Sequence, residues 1–197
     1  MSCVLVSACS SPETNAPTGG DTSQAANALP SVDEAELADN PFRQDWQTPF
    51  GVPPFAEIED DDYMPAISKA IEELRSEISA ITAITSEPTF ENTILALELA
   101  GSPLDKVAYT FNNVTNTDST DMLRELETQI FPLLTREFDA IVLNEVLYER
   151  VKTVYEARDE LDLDEQQARL LELTHRRFVR AGAIFAPEVK ERVAEIN

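Results

Sequence analysis

Apolar residues in the first strongly patterned segment of the chain recur at alternating intervals of four and three positions. This spacing predicts an α-helix with the apolar side chains along one stripe. The stripe consists of Ile67, Ile71, Leu74, Ile78 and Ile81. Acidic residues at positions 57–62 precede it, where negative charge stabilises a helix N-terminus. A calcium loop is the alternative interpretation, but the glycine and the spaced ligands of an EF-hand are missing.

Two shorter helices are predicted next. Thr89 can cap the free amides of the first, which continues through apolar residues to Gly101, a residue suited to a helix end. Pro103 marks the start of the second, whose apolar positions lie in residues 104–111. The polar stretch NNVTNTDST, residues 112–120, then ends it.

Helical spacing continues in the second half of the chain. Apolar residues from Leu123 to Ile141 keep this spacing across Pro132, which is expected to kink the helix. Asn144 interrupts the pattern, and apolar residues in the segment 146–155 predict a further helix.

The last long helix is predicted between a capping box and a glycine. Asp164 and Gln167 occupy the capping-box positions, and the apolar pattern then continues to Gly182. Beyond it, Pro187 suits a helix start, and apolar residues follow at spacings of four and three. Because the chain stops inside this pattern, we expect that Asn197 is not the natural end of the protein.

These patterns together predict the fold class. No stretch alternates between apolar and polar residues with a period of two over a useful length, so we predict no β-sheet. Unequal segment lengths argue against a tandem-repeat array or a long coiled coil. No apolar run approaches the roughly 20 residues that a membrane-spanning helix needs. The sequence therefore predicts an all-α protein, an irregular multi-helix bundle over residues 40–197.

Residues 1–39 are predicted to be a partial lipoprotein signal followed by a flexible, disordered tether. The sequence VSAC, ending at Cys9, resembles a bacterial lipobox, and the serine after it fits the outer-membrane type. The short apolar piece before Cys9 implies that translation starts upstream of Met1. Residues 11–31 have a tether-like composition of small and polar residues. An ordinary cytosolic tail is the alternative.

The lipobox interpretation also predicts a location. The protein would lie on the periplasmic side of a bacterial cell envelope, lipid-anchored to the outer membrane. Its membrane contact would be made only through a lipid on Cys9.

The chain is strongly acidic, with 15 Lys and Arg against 37 Asp and Glu and a net charge of −22. Nucleic acid is therefore not expected as a partner, because binding its phosphate backbone needs clustered positive charge. A cationic or peptide ligand is less disfavoured, although the acidity also serves solubility.

Candidate catalytic groups are scarce in this sequence. The chain has one histidine, His175, and two cysteines, Cys3 and Cys9. It contains no H-E-x-x-H or C-x-x-C zinc motif, no G-x-S-x-G elbow and no glycine-rich phosphate loop. We therefore predict no catalytic and no metal-binding residue in this chain.

Two clusters have both a structural and a ligand-binding interpretation. The histidine and three arginines lie in THRRFVRAG, residues 174–182. The guanidiniums could grip a carboxylate, but complementing the helix C-terminus and pairing with acidic neighbours is favoured. The second cluster is WQTPFGVPPF, residues 46–55. Its prolines are expected to lay Trp46, Phe50 and Phe55 over the bundle, rather than to form a peptide-binding platform.

Several collinear segments carry a resemblance to a known family. They are NPFRQDWQTPFGVPPFAEIEDDDYMPAISKAIEE, PTFENTILALELAGSPLDKV, LNEVLYERVKTVYE and HRRFVRAGA. In this order they resemble the N-terminal region of bacterial peptidyl-dipeptidases, zinc metallopeptidases of the thimet oligopeptidase family. The resemblance covers residues 40–197.

The resemblance implies a function for a longer parent protein. In that family a helical shell encloses a channel that admits short peptides, and zinc is bound by an H-E-x-x-H helix and a later glutamate. This chain lacks that motif, so it would supply channel wall, and zinc is expected only in the full-length parent. The alternative is a stand-alone, non-catalytic helical lipoprotein that binds peptides or a protein partner.

Overall fold

A computed structural model of the chain describes residues 29–30, 32, 34–185 and 189, and these residues form helices and connecting turns without a β-strand. The helices are α1 (Glu34–Ala38), α2 (Tyr63–Thr82), α3 (Ala96–Leu99), α4 (Ser102–Thr117), α5 (Asp121–Val142), α6 (Glu145–Glu156) and α7 (Glu165–Ala181). A π-helical turn, Phe90–Leu95, leads directly into α3. Short 3-10 turns are Pro41–Arg43, Pro49–Gly51, Asp60–Asp62 and Arg158–Glu160. The predicted all-α, multi-helix fold is confirmed.

Local capping signals place most helix ends where the sequence predicts them. The Thr89 hydroxyl accepts a hydrogen bond from the Asn92 amide at 3.2 Å, and the Asn92 side chain accepts one from the Thr89 amide at 2.8 Å. Asp164 and Gln167 form the same reciprocal pair at the start of α7. Gly182 ends α7 with φ 95°, a conformation that favours glycine. α5 continues through Pro132 as one helix.

Two clusters of buried side chains form the core. The first, here called the N-terminal cluster, is built mainly from α2, α4 and α5. Its buried members include Phe42, Tyr63, Ile67, Ile71, Leu74, Leu104, Phe111, Leu123 and Ile130. The second, the C-terminal cluster, is built from the π-turn, α6 and α7 together with the end of α2. Its buried members include Ile81, Phe90, Ile94, Leu147, Val151, Leu171 and Phe178.

Three partly buried residues join the two clusters. Ile78 of α2, Ala100 after α3 and Ile141 of α5 pack against both of them. Because side chains in contact share one packed region, the clusters are continuous at these positions. A groove in the surface of the bundle lies at this junction.

The aromatic opening segment follows its prediction only in part. Trp46 is half-buried, its indole Nε1–H donates to the Pro41 carbonyl at 2.9 Å, and Lys106 Nζ lies 4.2 Å from the ring centroid. The prediction for Phe50 is wrong, because this side chain is fully exposed at φ 62°. Phe55 is also exposed. The backbone carbonyl of Thr48 accepts a hydrogen bond from Gly51 N–H at 3.1 Å, which closes a tight turn and places Phe50 at its outer tip.

Two arginines and a buried glutamate link the helices through hydrogen bonds. Arg75 of α2 donates two hydrogen bonds to the buried carboxylate of Glu137 on α5, at 2.8 and 2.6 Å. Arg150 of α6 is buried and donates to the Ile84 carbonyl at 2.9 Å and to the Asn92 side chain at 2.9 Å. These bonds link segments far apart in the sequence, so they fix the relative positions of α2, α5, α6 and the π-turn.

Candidate functional site

A groove of about 560 Å³ lies at the junction of the two clusters. Residues of α2, α3, α4, α5 and α7 line it. Its apolar floor includes Leu74, Ile78, Leu104, Ile141 and Phe178. A concave surface of this size with an apolar floor is the usual setting of a small-molecule or peptide site. We refer to it below as the junction groove.

The turn between α3 and α4 shapes one wall of the junction groove. Gly101 has φ 80°, and a Cβ at this position would lie 3.1 Å from Leu74 Cδ1. Its amide N–H donates to Glu77 Oε2 at 2.7 Å, which ties the turn to α2. The close approach of this backbone to α2 therefore depends on the absence of a side chain.

Charged side chains of both signs stand on the rim. Glu98 of α3, Asp105 of α4 and Arg177 of α7 line the groove and are exposed. Burial raises the pKa of the Asp105 carboxyl above its ordinary value, Glu98 raises it further, and Arg177 acts in the opposite direction. In the described part of the chain, no carboxylate lies within ion-pair distance of Arg177. All three charged groups are thus available to a ligand.

Aromatic side chains complete the rim. Tyr109 of α4 and Phe138 of α5 line the groove with 70% and 48% of their surfaces exposed. Large rings left in solvent beside an apolar floor favour contact with a ligand or a partner. The arrangement provides apolar contact, ring stacking and charge pairing.

The sequence-predicted cluster of residues 174–182 is divided between several environments. Arg176 pairs with Glu172 at 3.5 Å, and Arg180 lies in the last turn of α7, as the structural interpretation predicts. Arg177 instead points to the ligand-binding interpretation, because it lines the groove.

His175 lies away from the junction groove. Its ring stacks on the ring of Tyr155 with centroids 3.9 Å apart and planes 4° apart. The pKa of His175 is lowered, first by burial and then by the positive charge of Arg158. The histidine is therefore part of the packing between α6 and α7.

Sequence reasoning missed most of the groove. Glu98 and Asp105 are ordinary charged positions of the predicted helices, and helical spacing places Phe138 among the apolar positions of α5. One available signal was Tyr109, a large ring outside the apolar stripe of α4. Cys9, the predicted lipidation site, lies outside the described residues.

The described residues do not fit a catalytic zinc site. No group of three His, Cys, Asp or Glu side chains among them could hold a metal ion. The one imidazole is engaged in the stack with Tyr155. Within the same residues no helix is long and apolar enough to cross a bilayer.

Comparison with known proteins identifies relatives among peptidases. The chain is 35% identical over 161 residues to the dipeptidyl carboxypeptidase of Salmonella typhimurium and 37% identical over 158 residues to that of Escherichia coli. These matches cover 82% and 80% of the chain. It is also 25% identical over 149 residues, 76% of the chain, to oligopeptidase A of Escherichia coli. No model of a protein family matches it.

The chain is thus an all-α segment that is similar to part of these peptidases. More particularly, it is related to the bacterial peptidyl-dipeptidases and to oligopeptidase A, and the resemblance predicted from the sequence is confirmed. The matched region spans 24% and 23% of the two dipeptidyl carboxypeptidases and 22% of oligopeptidase A. The chain therefore corresponds to about a quarter of the length of these relatives.

Proposed function

We propose that this chain is the N-terminal helical part of a longer peptidyl-dipeptidase that hydrolyses short peptides. The observation that carries this proposal is the identity of 35–37% with dipeptidyl carboxypeptidases across about four fifths of the chain. The chain would form part of the wall of a substrate channel. It would bind and orient peptides, while residues elsewhere in the polypeptide perform the hydrolysis.

The catalytic zinc would also be bound outside this chain. A catalytic zinc site takes three protein ligands and keeps one position open for water. The described residues offer no such set. The metal would activate water for attack on the peptide bond.

The test is to follow the reading frame beyond Asn197 and to express the whole product. We expect an H-E-x-x-H motif in the added sequence and release of C-terminal dipeptides from unblocked oligopeptides. A chelator should abolish this activity, and added zinc should restore it. The purified 197-residue chain should release no dipeptide.

Two results would overturn the proposal. One is dipeptide release by the 197-residue chain alone. The other is a stop codon directly after Asn197 with no hydrolysis, which would favour the stand-alone helical lipoprotein that binds peptides or a partner.

We further propose that Cys9 is lipidated and anchors the protein to the outer membrane, on its periplasmic side. Support comes from the VSAC sequence and from the tether-like composition of residues 11–31. Mass spectrometry of the protein expressed with a complete lipoprotein signal should show a lipid on Cys9. The Cys9→Ser variant should lose the lipid and leave the membrane fraction, and an unmodified Cys9 would contradict the proposal.

A further inference from the structure

We propose that the junction groove is a docking site for a peptide that carries a large apolar side chain next to a positively charged one. This rests on the proposed function for the choice of a peptide as the ligand, and it adds the specificity of the site.

The floor can take an apolar side chain. Leu74, Leu104 and Phe178 are buried, and Ile78 and Ile141 are partly buried where the groove opens. Apolar surface at the bottom of a concave site gains free energy when a ligand side chain displaces water from it. A leucine- or phenylalanine-sized side chain is the natural occupant.

The charges on the rim favour a cation beside that apolar side chain. Two carboxylates, Glu98 and Asp105, line the groove against one guanidinium, Arg177, so the rim carries a net negative charge. Burial and then Glu98 raise the pKa of Asp105, and Arg177 acts in the opposite direction, which is consistent with repulsion between the two carboxylates. A ligand ammonium or guanidinium near Asp105 would relieve this repulsion. The exposed ring of Tyr109 adds a surface over which a cation is attracted.

Dimensions and overall charge decide between the possible occupants. A volume of about 560 Å³ suits a few residues of an extended peptide, because ligand pockets commonly measure roughly 300–1,000 Å³. A second copy of this chain would bring another net charge of −22, so its approach is opposed electrostatically. A short cationic-apolar peptide meets neither obstacle.

The test measures binding of fluorescein-labelled tetrapeptides to the purified 197-residue chain by fluorescence anisotropy. The peptides are Ala-Lys-Leu-Ala and two variants with Glu in place of Lys or Ser in place of Leu. We expect each variant peptide to bind at least roughly fivefold more weakly, since a single charge pair or apolar contact contributes about 1 kcal/mol. Raising the salt concentration should weaken the binding of the two Lys-containing peptides only.

Protein variants locate the site. Asp105→Asn combined with Glu98→Gln should remove the preference for Lys over Glu, and Asp105→Lys should reverse it. The control combines Asp159→Asn with Glu160→Gln, which removes two acidic charges from a turn that does not line the groove. Circular dichroism confirms that each variant is folded.

Several outcomes would overturn the inference. They are equal binding of the three peptides, no binding, and a loss of preference in the control as large as in the groove variant. Binding to the 197-residue chain but not to the longer product would show that another part of the polypeptide occupies the groove, and this would also overturn the inference. Because the assay needs no hydrolysis, an inactive longer product would count against the proposed function alone.

Discussion

The guanidinium of Arg75 and the carboxylate of Glu137 meet through two parallel hydrogen bonds, Nε to Oε2 at 2.8 Å and Nη2 to Oε1 at 2.6 Å. This pair joins α2 to α5 beside the floor of the junction groove. Glu137 is only 5% exposed, whereas the Arg75 side chain is 45% exposed. The carboxylate therefore depends on its partner more than the guanidinium does.

Arg75→Met is expected to lower the free energy of unfolding by about 2 kcal/mol, because it leaves a buried carboxylate without its main hydrogen-bond donor. Urea denaturation monitored by circular dichroism measures this loss. Arg43→Met is the matched control, since it breaks the ion pair between Arg43 and Glu73. Their side chains are 35% and 29% exposed, respectively. The control should cost less than about 1 kcal/mol. Equal losses for the two variants would contradict the argument.

Gly101 is expected to tolerate alanine poorly. It has φ 80°, and an added Cβ would lie 3.1 Å from Leu74 Cδ1 in a packed region. Gly101→Ala should lower the free energy of unfolding by about 2–3 kcal/mol, from left-handed backbone strain together with the steric contact. Thermal or urea denaturation gives the value.

Gly51→Ala separates the two causes of that loss. Gly51 has φ 67°, yet nothing lies within 4 Å of the position of its Cβ. This variant should therefore show only the backbone cost of about 1 kcal/mol. If both alanine variants lose the same stability, the contact with Leu74 has no energetic role, and the tight packing of this groove wall is refuted.

His175 is expected to make stability depend on pH below about pH 6.5. Burial and Arg158 lower its pKa from 6.5, while Glu156 acts in the opposite direction. Between the folded and unfolded pKa values the unfolded chain binds more protons, so stability increases with pH there. The contribution of His175 is fully present above about pH 6.5 and is lost as the pH falls to the folded pKa.

The single histidine makes this prediction directly measurable. An NMR titration of the imidazole Cε1–H signal in untagged protein should give a pKa below 6.5. Arg158→Met should move that pKa upward, whereas Arg169→Met, which breaks an exposed pair with Glu172, should leave it unchanged. If the pKa of His175 does not change in the Arg158→Met variant, the charge of Arg158 does not lower it.

Helix ends were predictable because their signals are local. Thr89 caps with Asn92 three positions later, and Asp164 caps with Gln167 at the same separation. The stripe of α2 was equally predictable, since a period of 3.6 residues specifies which face is buried. The π-helical form of the turn Phe90–Leu95 had no such signal.

The junction groove was beyond a local reading of the sequence. Asp105 and Arg177 come from helices far apart in the chain and face one cavity only because α4 and α7 both pack near Leu74 and Ile78. Arg177 could be selected as a ligand-binding candidate from its position in an arginine cluster. Sequence does not show that Arg177 lines the groove while its neighbour Arg176 pairs with Glu172, because this difference depends on the tertiary packing of α7.

The prediction for Phe50 fails most completely, and the backbone of this residue gives a test of why. It is the one non-glycine residue in the described ranges with a positive φ, at 62°, and its side chain is fully exposed. A phenylalanine there bears left-handed strain without gaining burial, whereas asparagine adopts this conformation more readily. Phe50→Asn should therefore raise the free energy of unfolding by about 0.5–1 kcal/mol.

Phe55→Asn is the matched control, because it changes the same residue type in the same segment at a position with 47% exposure and no positive φ. It should be neutral or lose up to about 1 kcal/mol of apolar contact. Urea denaturation of both variants measures the difference in sign. If Phe50→Asn is the less stable variant, Phe50 packs against the protein in solution, and the prediction that the proline-rich segment lies over the bundle regains support at this position.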